Sequence, residues 1–298
     1  MSTQLKGIIP AIASPCDAND VFDEDKFAAH CERLYADGVH GLYVCGATGD
    51  GYNMLAEERN RAVQISAEIG KKFNGQTIVH VGSSNSRDSM KLAEYAAAVG
   101  AAAVSAMPPA NRNLAQLVDY YTDIQRASSL PVLVYHIPQL TGRVLSVEEM
   151  CQLLDIDGVI GFKFSDWNLY FMRRVIKQRP GITVFNGMDE FIVPGLLYGA
   201  SGGIGLNYNT FPKLFLGMYD AVGRNDIVRA MELENLLCDY MDTVFTYGIM
   251  AGFPAAMREL GYADHCFRRP RQKFDPETKK RFLSDWRPKY EAIMAATS

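Results

Sequence analysis

The residue of this 298-residue chain with the most chemical potential is Lys163, in Val159-Ile-Gly-Phe-Lys-Phe-Ser-Asp. An ammonium at the end of an apolar strand loses solvation, and desolvation drives a lysine pKa below its usual value of about 10.4. The neutral amine that results attacks ketones. A strand-end lysine that extends its stem to water is the plain alternative. Tyr135 ends the preceding apolar run, where a phenol either exchanges protons beside the amine or fills the core.

Gly46-Ala47-Thr48-Gly49 follows another apolar run and leads toward a helix expected through Asn53–Glu58. Small residues let backbone N–H groups approach an anion, a helix N-terminus favours negative charge, and the Thr48 hydroxyl adds a donor. That combination suits the carboxylate of a 2-keto acid, although any tight turn can read this way. Asp189 and Glu190 lie just past the seventh run, where adjacent carboxylates can accept hydrogen bonds from sugar hydroxyls or cap the next helix.

Positioning these groups falls to an alternation of elements. Apolar runs recur at Gly7–Ala13, Gly41–Cys45, Thr77–Val81, Ala102–Ala106, Pro131–His136, Val159–Phe164, Ile182–Phe185 and Gly202–Gly205. Between them lie helix-period stretches at Asp23–Asp37, Ala56–Phe73, Ser86–Val99, Leu114–Ser128, Ser146–Leu154, Trp167–Gln178 and Glu190–Tyr198. Near-continuous apolar strands alternating with helices imply parallel strands covered on both faces. Eight such units predict an α/β protein, a (β/α)8 TIM barrel. A barrel places its chemistry in the loops after the strands, where all the residues above fall. The barrel is assigned to residues 1–212. Residues 213–298, read as wholly helical (Ile227–Tyr247, Pro254–Leu260, Pro276–Ala296), are expected to pack on it as an extension.

Composition narrows the function. The formal charge is −4 with both signs dispersed, which argues against nucleic acid and against a membrane surface. The short basic stretch Arg268–Lys273 reads as a solvated loop. The six cysteines are scattered without metal-ligand spacing, as expected of reduced thiols in a cytoplasmic protein. No HExxH, phosphate loop, nucleophile elbow or dinucleotide fingerprint occurs, so no metal and no organic cofactor is expected. Gly202-Gly203-Ile204-Gly205 reads as tight turning at a strand end. His80 and His136 read as core or supporting groups.

Taken together, GLYVCGATGDG (Gly41–Gly51), HVG (His80–Gly82), YHIPQLTG (Tyr135–Gly142), GFKFSD (Gly161–Asp166), FNGMDE (Phe185–Glu190) and GASGGIGLNYN (Gly199–Asn209) resemble the N-acetylneuraminate lyase and dihydrodipicolinate synthase superfamily of Schiff-base lyases. The resemblance implies that Lys163 forms an imine with a 2-keto acid, that Tyr135 is the catalytic tyrosine and that Thr48 binds the carboxylate. It further implies substrate contacts at Ala47, Ser165, Gly187, Asp189, Glu190, Gly205 and Leu206, with a homotetramer as the assembly. NGMDE, KFSD and YHIPxLTG look like the N-acetylneuraminate lyase branch. Dihydrodipicolinate synthase fits worse: its arginine after the YxxP proline is Leu140 here, and its tyrosine pair is Pro109-Ala110.

Three positions depart from the lyase branch. Ala47 stands where it has Ser or Thr, Asp50 where it has Glu, and Leu206 where it has Ser. The expected activity is reversible cleavage of an N-acetylneuraminate-like acid to pyruvate and an aldehyde such as N-acetylmannosamine. Ala47 and Leu206 keep open a 2-keto-3-deoxy sugar acid aldolase or dehydratase. A non-catalytic keto-acid sensor is a third reading.

Overall fold

The computed structural model describes residues 5–298. Eight strands form one parallel sheet: β1 Gly7–Pro10, β2 Gly41–Val44, β3 Gln76–His80, β4 Ala103–Ala106, β5 Val132–His136, β6 Val159–Phe164, β7 Thr183–Asn186 and β8 Gly202–Gly205. Their order is β1-β8-β7-β6-β5-β4-β3-β2, and the two ends meet through a parallel bridge between Ala11 and Tyr43. This is the expected TIM barrel.

Strand parity divides the apolar residues into two cores. Outward residues such as Val44, Val79, Val104, Val134, Phe162 and Val184 pack beneath the helices. Inward residues fill the barrel, among them Ile9, Tyr43, Ile78, Leu133, Tyr135, Phe185 and Ile204. The inward positions of β6 are Gly161 and Lys163; a Cβ on Gly161 would stand 1.7 Å from the Thr183 carbonyl oxygen.

Helix starts follow their caps. The Asp23 carboxylate, the Asn85 carboxamide and the Asn113–Gln116 and Ser146–Glu149 boxes each accept from the first turn, and replacing such a cap costs about 1 kcal/mol. Helices Leu114–Ser128, Ile227–Tyr247 and Pro276–Ala296 have the expected limits. The helix expected at Glu190–Tyr198 resolves into a 3-10 turn, Asp189–Phe191, and a short helix, Ile192–Leu197.

Beyond β8, helix Pro212–Gly223 packs against β1 and against Ile227–Tyr247. Phe211 and Phe215 join Tyr240, Phe282 and Trp286 in a third apolar core. The tail is not wholly helical. Between Ile249–Glu259 and Pro276–Ala296 an irregular segment crosses the barrel mouth, where Cys266 and Phe267 join Ala13, Phe253 and Met257. Among the described residues no helix is long and apolar enough to cross a membrane.

Candidate active site

Lys163 is not a strand-end lysine reaching for water. It lies inside β6, paired in register with Tyr135 on β5 and Phe185 on β7, and it is 4% exposed. Its Nζ lies 4.2 Å from the centre of the Tyr135 ring and 4.6 Å from that of Tyr43. Burial lowers the amine to about 7, with the Asp189 carboxyl pulling the other way. At neutral pH a large share of this amine is therefore unprotonated.

Tyr135 is buried, and burial pushes its phenol up to about 12. The Ser165 hydroxyl pulls it back down; Ser165 Oγ is buried and lacks a partner within hydrogen-bond geometry. Tyr135 meets the Tyr43 ring edge-on at 6.1 Å and the His80 ring at 6.0 Å. His80 Nε2 accepts from the Met107 N–H at 3.3 Å, which assigns the proton to Nδ1, and burial holds the ring neutral. His136 points the other way, its ring near-parallel to those of Phe164 and Phe171 in a three-ring cluster outside the barrel.

The Gly46–Gly51 loop differs from the expectation. It is a run of turns, with Cys45 and Asp50 in the left-handed region, and the helix begins at Ala56 rather than at Asn53. Gly46 is dictated by Tyr43, whose ring lies 2.5 Å from where a Cβ would stand. Thr48 is buried and Ala47 half-buried.

Asp50 pins the loop to the tail by accepting the Arg268 N–H at 2.7 Å and the Asn53 carboxamide at 2.8 Å. Arg268 is thus no solvated basic residue. Its side chain is 4% exposed, with Asp50 at 3.8 Å and Glu58 at 3.7 Å. Arg269 and Arg271 both pair with Asp20.

At the far side, Asp189 does not cap a helix. Its carboxylate accepts the Asn207 N–H at 2.6 Å and the Asn207 carboxamide at 2.9 Å. Burial raises it to about 7, Asn207 and Lys163 opposing. Gly205 is glycine because Asp189 Oδ1 lies 1.9 Å from its hypothetical Cβ. Close approach by neighbours, not tight turning, explains the β8 glycines. Gly187 likewise leaves room for Ser165 Oγ at 2.1 Å and Lys163 Cε at 3.2 Å. Burial raises Glu190, opposed by the Trp167 indole, and Leu206 packs on the Phe253–Met257–Phe267 cluster.

The structure therefore brings Lys163, Tyr135, Ser165, Gly187, Asp189 and Gly205 together, and the Tyr43 ring links them to the Gly46–Thr48 loop. Leu206 and Glu190 make their described contacts toward the tail and toward Trp167. Tyr43, His80 and Asn207 lie inside the quoted segments GLYVCGATGDG, HVG and GASGGIGLNYN, but the sequence assigns none of them a substrate contact. Strand parity alone could have placed Tyr43 and His80 inside the barrel. A hollow of 590 Å³ between Lys6, Ser201, Asp220 and Arg224 opens instead near the starts of β1 and β8, away from this chemistry.

The profile of the dihydrodipicolinate synthetase family matches residues 4–286. The chain belongs to that family. Among its relatives it is 32% identical over 263 residues to N-acetylneuraminate lyase of Escherichia coli (strain SMS-3-5 / SECEC), covering 87% of this chain and 88% of the relative. N-acetylneuraminate lyase of Citrobacter koseri is 31% identical over the same shares. CdNal from Clostridium difficile, solved in complex with mannosamine, superposes with a TM-score of 0.90 at 25% identity, over 96% of this chain and 99% of that one. N-acetylneuraminate lyase from Mycoplasma synoviae gives 0.86 at 27% identity, over 96% and 98%. As a member of this family the protein is a carbon–carbon lyase, an aldolase of the N-acetylneuraminate lyase and dihydrodipicolinate synthase superfamily.

Proposed function

We propose that the protein reversibly cleaves a sugar 2-keto acid of the N-acetylneuraminate kind to pyruvate and an aldehyde, through an imine on Lys163. The observation that carries this reading is a buried amine lowered to about 7 inside the barrel, beside a buried phenol. A neutral Nζ attacks C2 of the keto acid, and loss of water gives a protonated imine. The C3–C4 bond then breaks with its electron pair drawn toward the iminium, leaving an enamine. The C4 hydroxyl surrenders its proton as the aldehyde forms. Tyr135, a neutral phenol at physiological pH, passes that proton by way of the substrate carboxylate. Protonation at C3 and hydrolysis release pyruvate and restore the amine.

Substrate contacts are assigned to the same walls. The Ala47 and Thr48 backbone N–H groups and the Thr48 hydroxyl take the carboxylate, while Ser165, Gly187 and Gly205 line the reacting carbons. Asp189, Glu190 and Leu206 face the sugar chain. The test is borohydride reduction in the presence of pyruvate, followed by peptide mapping. A reduced pyruvyl adduct on Lys163 is expected; its absence, with pyruvate binding shown separately, overturns the reading.

A second reading rests on Ala47 and Leu206, which leave the site with one hydroxyl fewer at the carboxylate loop and an apolar side chain at the sugar end. Both suit a shorter 2-keto-3-deoxy sugar acid. Cleavage rates for N-acetylneuraminate and 2-keto-3-deoxygluconate decide between the two.

A further inference from the structure

We propose that Tyr43 is a third functional side chain of the imine site, its ring face stabilising the positive charge that Lys163 carries as ammonium and as iminium. The inference rests on the imine reading above and adds to it a residue that neither the motifs nor the family assignment singles out. Four observations carry it. The Lys163 Nζ lies between two aromatic faces, Tyr43 at 4.6 Å and Tyr135 at 4.2 Å, within the roughly 6 Å over which a ring quadrupole attracts a cation. The two rings meet edge to face, at 85°, so each turns a separate surface to the amine. Tyr43 is wholly buried, where water screens such an attraction least. Its hydroxyl donates to Ser105 Oγ on β4 at 3.2 Å, fixing the ring's tilt and keeping the phenol oxygen occupied away from the amine.

The same ring fills the space next to Gly46. One side chain thereby sets the distance between the reacting nitrogen and the start of the proposed carboxylate loop. The groups facing Nζ are the Tyr43 ring from β2, the His80 imidazole from β3, the Tyr135 ring from β5 and the Asp189 carboxyl after β7. Asp189 is tied to Asn207 and His80 is neutral. The two rings are then the groups in direct contact with the developing cation.

The test compares wild type, Tyr43→Phe, and the protein carrying 3,4,5-trifluorophenylalanine at this position. Fluorine drains the ring face of negative potential with a small change in volume, and a thermal melt of each protein checks that it is folded. Cyanoborohydride trapping with pyruvate is followed from pH 5.5 to 9. Tyr43→Phe keeps the face but loses the Ser105 bond, so it is the reference against which the fluorinated ring, lacking the same hydroxyl, is compared. The fluorinated ring should lower the imine fraction about tenfold and move the acid limb of the trapping profile down by about half a pH unit. A fluorinated protein indistinguishable from Tyr43→Phe overturns the inference. Failure of wild type itself to trap pyruvate overturns the imine reading instead, before any variant is compared.

Discussion

The Lys163 amine holds its lowered affinity for protons at the expense of the fold. Its pKa is about 7 in the native protein, against 10.5 for the exposed side chain. Between those values the unfolded chain binds a proton that the native state does not. Stability therefore rises as pH increases from about 7 toward 10.5, by at most about 1.4 kcal/mol per pH unit, and the cost is complete below 7. Lys163→Met replaces the amine with an apolar side chain of similar length. It is expected to abolish the pyruvyl adduct while raising stability at pH 7 by about 1–3 kcal/mol. Denaturant melts of both proteins at pH 7 and pH 9.5 check this, because the gap should narrow at the higher pH.

Asp189 supplies the opposing influence. Its negative charge favours the charged amine, so Asp189→Asn should move the acid limb of imine trapping to lower pH. An unmoved limb would show that the carboxyl is already protonated when the amine titrates, which two groups both near 7 allow.

At the scale of elements, the loop between Cys45 and Ala56 shows what the chain order reveals and what it hides. Strand and helix periods were plain in the sequence because each strand is buried on both faces and each helix on one. Lys163 was legible as well, since a lysine inside an otherwise apolar strand has few explanations. The helix-period stretch from Ala56 matches the helix start, whereas the helical lead-in expected from Asn53 is a run of turns. In the fold the side chains of Asn53 and Asp50 bond to each other, and Asp50 also accepts from Arg268, 218 positions away. No local signal marks that pairing. The burial of Arg268 and the ring contact between Tyr43 and Lys163 were hidden for the same reason: both exist only once the barrel closes and the tail crosses its mouth.

The Asp50–Arg268 tie predicts a separable effect. Asp50→Ala leaves the Arg268 guanidinium buried with Glu58 alone, which costs about 3 kcal/mol. It also frees the Ala47–Gly49 backbone. The expected kinetic result is a several-fold rise in KM for the keto acid with kcat changed far less, measured by steady-state assay alongside a thermal melt. An equal fall in kcat at constant KM would show that the loop acts on the chemical step.

For the whole molecule, the question is whether the tail beyond residue 213 is an appendage or part of one folding unit. The family likeness proposes a homotetramer of 33.1 kDa chains, for which sedimentation is the direct measurement. Within one chain the packing already decides much. Tyr208 and Phe211 follow β8 directly; Phe211 meets the rings of Tyr240 and Tyr290 in the tail, within an apolar core that also holds Phe282 and Trp286. Ala13, in the loop after β1, is likewise packed with Phe253, Met257 and Phe267. Removing the chain beyond Gly223 would expose apolar surface on both sets together, each large side chain's burial worth about 1.5–3 kcal/mol, against a typical net stability of only 5–15 kcal/mol. A chain ended at Gly223 keeps every strand and every proposed catalytic side chain. It is nevertheless expected to lose cooperative unfolding and bind a hydrophobic dye, while retaining much of its far-ultraviolet dichroism. If that shortened chain instead melts sharply and still traps pyruvate on Lys163, the barrel is an independent unit. The contacts between the tail and the barrel mouth would then tune substrate binding without holding the fold.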